Sequence, residues 1–309
     1  MSKIAFIFPG QGAQYVGMGK DFYENIPVCK EVFEMATKAA GFSIEDICFE
    51  ENDKINITEY TQIAMLATEL AMYKALEEKG IKPDVTAGLS LGEYGALAVA
   101  GVFSLEDSFK VIRQRGILMQ NAVPEGGAMT AVLGLDGDVI AKICEETEGI
   151  VSVANYNCPG QIVITGEEKA VDEAAEKLKE AGAKRCVKLN VSGPFHSAML
   201  KEAGENLGNV IDEVTIGDIQ VPYITNVTAD YVTDKNQIKE MLMKQVASSV
   251  KWQQTIERMI ADGVDTFIEI GPGKTLAGFM RKIDKTKKVY NLEKLEDLDK
   301  ITAALEGEA

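Results

Sequence analysis

A single histidine and only five cysteines occur among the 309 residues of this chain. The cysteines, at positions 29, 48, 144, 158 and 186, form no Cys-x-x-Cys pair, and one histidine cannot complete a cysteine-histidine cage. No structural zinc site is expected, and the thiols read as reduced, as in a cytosol. Basic residues are scarce too, 32 Lys and Arg against 48 Asp and Glu, for a formal charge of −16. A field of that sign repels nucleic acid and anionic membranes, so a polyanionic partner must be held by a local basic patch. Long apolar runs are also missing. The longest uncharged stretch is broken by glycine and falls short of the roughly 18 residues that a membrane-spanning helix needs. The apolar run Ile4 to Phe8 stops at Pro9-Gly10 with neither a basic flank nor a cleavage site, so no secretion signal is read and a soluble cytoplasmic protein is expected. There is no internal repeat or low-complexity tract, and Leu305 to Ala309 reads as a solvated tail.

What is present is ample core material, 46% hydrophobic residues in a chain long enough for one large domain or two. The patterning predicts a strand over Lys3 to Phe8, helices over Val28 to Ala40 and Thr61 to Lys79 with a stop at Gly80, and a buried strand over Val85 to Leu89. Helices follow over Leu91 to Val99 and Leu105 to Asn121, the second ending before Pro124. Such alternation is the mark of an α/β body with a parallel sheet. The register then changes. Strand Met129 to Leu135, helix Asp138 to Glu146, strand Val151 to Ala154, a turn at Asn157-Cys158-Pro159-Gly160, strand Gln161 to Thr165, helix Glu168 to Ala181 and strand Arg185 to Val191 make the order βαββαβ. That is the ferredoxin-like motif, so residues 126–193 are expected to form an inserted small domain, with residues 1–125 and 194–309 as the body.

Gly88-Leu89-Ser90-Leu91-Gly92 is Gly-x-Ser-x-Gly at a predicted strand-to-helix turn. In a nucleophile elbow the serine sits on a sharp, strained turn, and residues two before and two after it must be small enough for backbone to approach backbone. The helix that follows would aim N–H groups and a positive dipole end at a developing oxyanion. A serine hydroxyl needs a base, and His196, in Ser192-Gly193-Pro194-Phe195-His196-Ser197, is the one imidazole available. It lies where the small domain returns to the body, the place for an interdomain cleft. Cys158 and Cys186, in a turn and a strand, are poorer nucleophile candidates than Ser90. Arg115 has Val111, Ile112, Leu118 and Met119 as its helical neighbours, so it faces apolar surroundings. Its fork calls for a substrate carboxylate, a protein Asp or Glu, or a snorkelling position at the core edge.

Two glycine-rich segments, Gly10 to Tyr15 and Gly271 to Thr275, fail the dinucleotide and phosphate-loop spacings at Tyr15 and Ile268. Each follows an apolar strand, though, so both loops are expected at the carboxyl edge of a parallel sheet, where Gln11 could donate to an oxyanion.

With these residues set out, the chain resembles the malonyl-CoA:acyl carrier protein transacylases of bacterial fatty-acid synthesis, and more broadly the acyltransferase domains of fatty-acid and polyketide synthases. The resemblance runs nearly end to end. It is carried by Phe8 to Gly12, Gly88 to Glu93, Gln114 to Gly116, Asn157 to Gln161, Pro194 to Ser197 and Glu269 to Gly273. It implies an α/β-hydrolase-like body with a ferredoxin-like insert. It further implies that Ser90 is the acylated nucleophile, His196 its base and Arg115 the grip on a malonate carboxylate. Gln11 and the Leu91 N–H would form the oxyanion hole, and the Gln245 carbonyl would orient His196. Leu89 departs from the histidine that many members carry there. Phe195 resembles a bulky residue that accompanies malonyl over methylmalonyl preference. The implied reaction is ping-pong transfer from malonyl-CoA to holo-acyl carrier protein, with no bound cofactor or metal; a monomer is the default expectation, which no residue pattern decides. Docking of the acidic carrier protein would fall to Lys184, Arg185 and Lys188, or to Arg281, Lys282, Lys285, Lys287 and Lys288. Two rivals share these residues: a serine hydrolase or thioesterase, favoured if a carboxylate orients the histidine, and a non-catalytic module that holds an acyl-thioester or the carrier protein.

Overall fold

The computed structural model describes residues 2–307 of the chain. Its strands, in chain order, are β1 (Ile4–Phe8), β2 (Val85–Gly88), β3 (Gly127–Leu133), β4 (Val151–Cys158), β5 (Gln161–Glu167), β6 (Arg185–Lys188), β7 (Thr266–Ile270) and β8 (Lys288–Leu292). β1 is apolar at every position because helices cover both faces of its sheet, and a strand buried on both sides has no reason to alternate. It pairs in parallel with β2 on one side and β7 on the other, and β8 completes the order β2-β1-β7-β8. The second sheet is antiparallel, in the order β4-β5-β3-β6.

The two sheets have separate cores. Val132, Ile140, Ile162, Ile164, Val171 and Leu178 fill the space between the antiparallel sheet and its two helices, Gly137–Glu145 and Glu168–Glu180. The body's largest cluster gathers around helices Thr58–Glu78 and Leu105–Ala122, and a further cluster surrounds Trp252 on the far side of the parallel sheet. The sheets are stitched together at the β4 edge. There Val250 N–H donates to the Ala154 carbonyl at 2.8 Å, Tyr156 N–H donates to the Val250 carbonyl at 2.9 Å, and Ser249 Oγ donates to the Val153 carbonyl at 2.5 Å.

Most element predictions stand to within a few residues, and four do not. β4 continues to Cys158, so the turn is only Pro159-Gly160, with Gly160 at φ 71°. The strand absorbs Asn155 and Asn157, whose side chains face the cleft described below. β6 stops at Lys188; the Leu189 N–H still donates to the Met129 carbonyl at 2.9 Å, and beyond it the chain leaves the ladder, with Leu189 and Val191 lining the same cleft. Helix Thr58–Glu78 begins a turn earlier than its apolar periodicity implies. Leu305 belongs to helix Leu295–Glu306 and packs against the core rather than trailing in solvent; Glu308 and Ala309 lie outside the described residues. All five cysteines are free thiols. Among the described residues no helix is long and apolar enough to cross a membrane.

Candidate active site

The first functional side chain is set by a turn that only glycine permits. β2 ends at Gly88 and helix Gly92–Val99 begins four residues later, with Ser90 between them at φ 55°. A Cβ on Gly88 would lie 1.9 Å from the Gly92 carbonyl carbon, and one on Gly92 would lie 2.2 Å from the Phe8 carbonyl oxygen. Backbone therefore crosses backbone beneath the serine. A serine at positive φ is held against its own preference, as is common where a reactive side chain must be aimed. Asn226 clamps the turn from below: its Oδ1 accepts the Ser90 N–H at 2.7 Å and its Nδ2 donates to the Gly88 carbonyl at 2.7 Å. The Leu91 N–H, at the leading end of the helix, donates to no protein acceptor among the described residues.

His196 also sits at positive φ, 61°, in the segment that returns from the small sheet. Its Nδ1 lies 2.8 Å from the Gln245 carbonyl, and its Nε2 lies 2.8 Å from Ser90 Oγ. A carbonyl can only accept, so the proton resides on Nδ1 and Nε2 offers its lone pair to the serine hydroxyl. Burial, followed by the nearby Arg115 cation, pushes the His196 pKa down to about 4, so the ring is neutral and basic at physiological pH. The group orienting the imidazole is a backbone carbonyl, not the carboxylate of a hydrolase triad.

Arg115 is delivered by helix Leu105–Ala122, whose start is capped by Ser104 Oγ accepting the Asp107 N–H at 3.0 Å. The guanidinium is fully buried and makes no ion pair among the described residues, so neither the protein salt bridge nor the snorkelling position is realised. Instead Nη1 donates to Gln62 Oε1 at 2.7 Å, and Nη2 donates to Gln245 Oε1 at 2.9 Å and to Ser90 Oγ at 3.2 Å. Its Nε–H has no partner, and Tyr94 stacks 5.2 Å from the guanidinium carbon. A buried cation whose direct hydrogen-bond partners are all neutral, with the Glu93 carboxyl one amide away on Gln245, keeps a spare donor for an anion from outside the chain.

Gln11 lies on the loop after β1, its Nε2 donating to Thr58 Oγ1 at 3.1 Å. Leu89, Ser90, Leu91, Gln11, Phe195 and His196 all line one cleft of about 860 Å³, walled on the other side by Met129, Asn155 and Val163 of the antiparallel sheet. Leu89 packs against Gly10, where any side chain would meet it at 2.8 Å. Of the catalytic and substrate-binding candidates, Gln11, Ser90, Leu91 and His196 line this cleft, while Arg115 and Gln245 are buried behind it in contact with Ser90. Sequence reasoning missed Asn226 and Gln62. Neither Gln62 nor Asn226 carries a local signal, because Gln62 sits in a helix of mixed polarity and only the fold brings the two beside Arg115 and Ser90. Among the described residues no cluster of three His, Cys, Asp or Glu side chains is placed to hold a metal ion.

Known proteins resemble this chain along nearly its whole length. The chain is 45% identical over 313 residues to the malonyl CoA-acyl carrier protein transacylase of Bacillus subtilis, covering 100% of this chain and 99% of the relative. The crystal structure of malonyl CoA-acyl carrier protein transacylase from Clostridium perfringens superposes with a TM-score of 0.96 at 44% identity, over 99% of this chain and 98% of that one. A type II polyketide-synthase acyl-carrier protein in complex with its malonyl-transacylase supplies another neighbour, with a TM-score of 0.95 at 37% identity, over 98% of this chain and 100% of that one. The family model for the acyl transferase domain matches residues 5–296. On that match, which spans nearly the whole chain, this protein belongs to the acyl transferase family.

Proposed function

We propose that this protein transfers the malonyl group of malonyl-CoA to the phosphopantetheine thiol of acyl carrier protein, in fatty-acid synthesis, through a malonyl ester on Ser90. One observation carries the mechanism: Ser90 Oγ stands 2.8 Å from a neutral imidazole nitrogen and 3.2 Å from a buried guanidinium that makes no direct ion pair among the described residues. The thioester carbonyl meets Ser90 Oγ, whose proton passes to His196 Nε2 as the C–O bond forms. The oxyanion of the tetrahedral intermediate is held by the Leu91 N–H and the Gln11 amide. Collapse breaks the C–S bond, His196 returns the proton to the departing CoA sulfur, and the ester remains on Ser90. The carrier-protein thiol then gives its proton to His196 as its sulfur attacks the ester carbonyl, and collapse breaks the C–O bond to Ser90, whose oxygen takes the proton back from His196. No bound cofactor or metal takes part.

Arg115 receives the distal carboxylate of the malonyl group, exchanging its contact with Ser90 Oγ for a charged pair. Leaving such a desolvated charge without its partner costs roughly 3 to 5 kcal/mol, enough to set malonyl apart from acetyl. The βαββαβ order and the β4-β5-β3-β6 arrangement support reading residues 126–193 as a ferredoxin-like insert in an α/β-hydrolase-like body of residues 1–125 and 194–309. We read the protein as a cytoplasmic monomer that meets the carrier protein transiently.

The reading is tested by incubating the protein with malonyl-CoA alone, quenching in acid and mapping the adduct by peptide mass spectrometry. The expected result is one malonyl group on the peptide containing Ser90, absent in Ser90→Ala. A malonyl group that persists in Ser90→Ala would refute it.

A further inference from the structure

Glu93 lies fully buried in the first turn of the helix that follows Ser90. Its Oε2 accepts two hydrogen bonds, from Gln245 Nε2 at 2.8 Å and from the Asn226 N–H at 3.1 Å. Each donor belongs to a residue already in contact with the site. Asn226 clamps the Ser90 turn, while Gln245 reaches three ways at once. Its backbone carbonyl meets His196 Nδ1, its Nε2 also donates to the Ser90 carbonyl at 2.9 Å, and its Oε1 accepts from Arg115 Nη2.

The two ends of a primary amide have nearly the same shape and opposite hydrogen-bonding sense, so something must decide which way it faces. At Gln245 a flip would aim the NH₂ at the guanidinium and set donor against donor. The Ser90 carbonyl fills only part of the NH₂ group's donor capacity. An acceptor on the far side, fixed by the elbow helix, settles the orientation. We propose that Glu93 is a positioning residue that holds the Gln245 amide with its oxygen toward Arg115, and through it sets the guanidinium for acyl groups that carry a free carboxylate. This rests on the reading of Arg115 given above.

Because both donors converge on Oε2, that oxygen acts as acceptor whether or not the carboxyl is protonated at Oε1. Burial raises the Glu93 pKa to about 7, so both forms are present near neutrality and the network holds in each. An amide oxygen at the same place serves equally well; an apolar side chain does not.

The test measures kcat/KM for acylation of Ser90 by malonyl-CoA and, separately, by acetyl-CoA in the wild type, Glu93→Gln and Glu93→Met. Disturbance of His196 slows both donors alike, whereas disturbance of Arg115 slows only the one bearing a carboxylate, so the ratio isolates the proposed role. Glu93→Gln should keep the wild-type ratio within about twofold, and Glu93→Met should lower it about tenfold or more, since small misplacements at a reacting centre carry losses of that order. If Glu93→Met does not fold, Glu93→Asp, which withdraws the acceptor by one methylene, must show the same fall. Equal losses for both donors, or an unchanged ratio, would overturn the assignment of Glu93. A wild type with no preference for malonyl would instead overturn the role given to Arg115.

Discussion

His196 is uncharged at neutral pH because two effects act in one direction: burial disfavours the imidazolium, and Arg115 repels it. A base must be neutral to accept a proton, so the acid limb of Ser90 acylation should fall near pH 4 rather than near the ordinary histidine value of about 6.5. The same shift bears on stability. Between those two values the unfolded chain binds a proton that the folded chain refuses. This group's contribution is therefore complete above pH 6.5 and is lost as pH falls toward 4. Acylation rate against pH, on enzyme checked for folding at each point, gives the first; an acid limb at 6 to 7 would mean that the imidazole is more solvated than the geometry indicates. In the sequence Ser90 stood out by its glycine-flanked turn and His196 as the one imidazole, whereas the apolar helical neighbours of Arg115 left its partner open and only the family resemblance assigned it a role. Arg115's partners were not readable, since Gln62 and Gln245 come from helices far along the chain.

The elbow is the element on which the site depends, and its glycines are steric requirements. Gly88→Ala would drive a methyl group into the Gly92 backbone, and neither strand β2 nor the helix can retreat without breaking its packing. The expected outcome is poor folding or a loss of roughly 2 kcal/mol or more with Ser90 displaced, read by thermal melting together with the acylation rate. Wild-type stability and rate in Gly88→Ala would contradict the close approach. This strand-turn-helix unit was visible in sequence because local chemistry dictates it. The extent of β4 was not, because Asn155 and Asn157 look like turn residues until a neighbouring sheet face gives them a cleft to line. β6 failed in the opposite sense: Leu189 and Val191 look like strand, yet the ladder ends with the Leu189 N–H bond to Met129, and both side chains lie half-buried along the cleft.

At the scale of the whole molecule, catalysis is proposed to take place between two sheets, each with its own core, and the net charge of −16 sets a problem for an acidic carrier protein. Of the two basic patches, the one at Lys184, Arg185 and Lys188 is partly neutralised, since Lys188 pairs with Glu168 at 2.7 Å and Asp172 at 3.5 Å. The other adjoins the cleft, where Lys282 Nζ donates to Gln161 Oε1 at 3.0 Å. Reversing Arg281 and Lys285 to glutamate should raise KM for carrier protein several-fold, more at low salt, and leave KM for malonyl-CoA unchanged. An unchanged carrier-protein KM would remove that patch from docking. The parallel body and the inserted antiparallel sheet were legible in the order of elements, but the cleft between them was legible only as an expectation at the point where the chain crosses back.

The central claim is that the Ser90 ester is passed to a thiol and not to water. A rapid-quench chase of malonyl-Ser90 enzyme with holo-acyl carrier protein, followed by intact mass spectrometry of both proteins, tests it directly. The malonyl mass should leave the enzyme and appear on the carrier protein in equal amount, while without carrier protein the ester persists. Loss of the ester at the same rate with and without carrier protein, with free malonate accumulating, would contradict the account and identify a hydrolase.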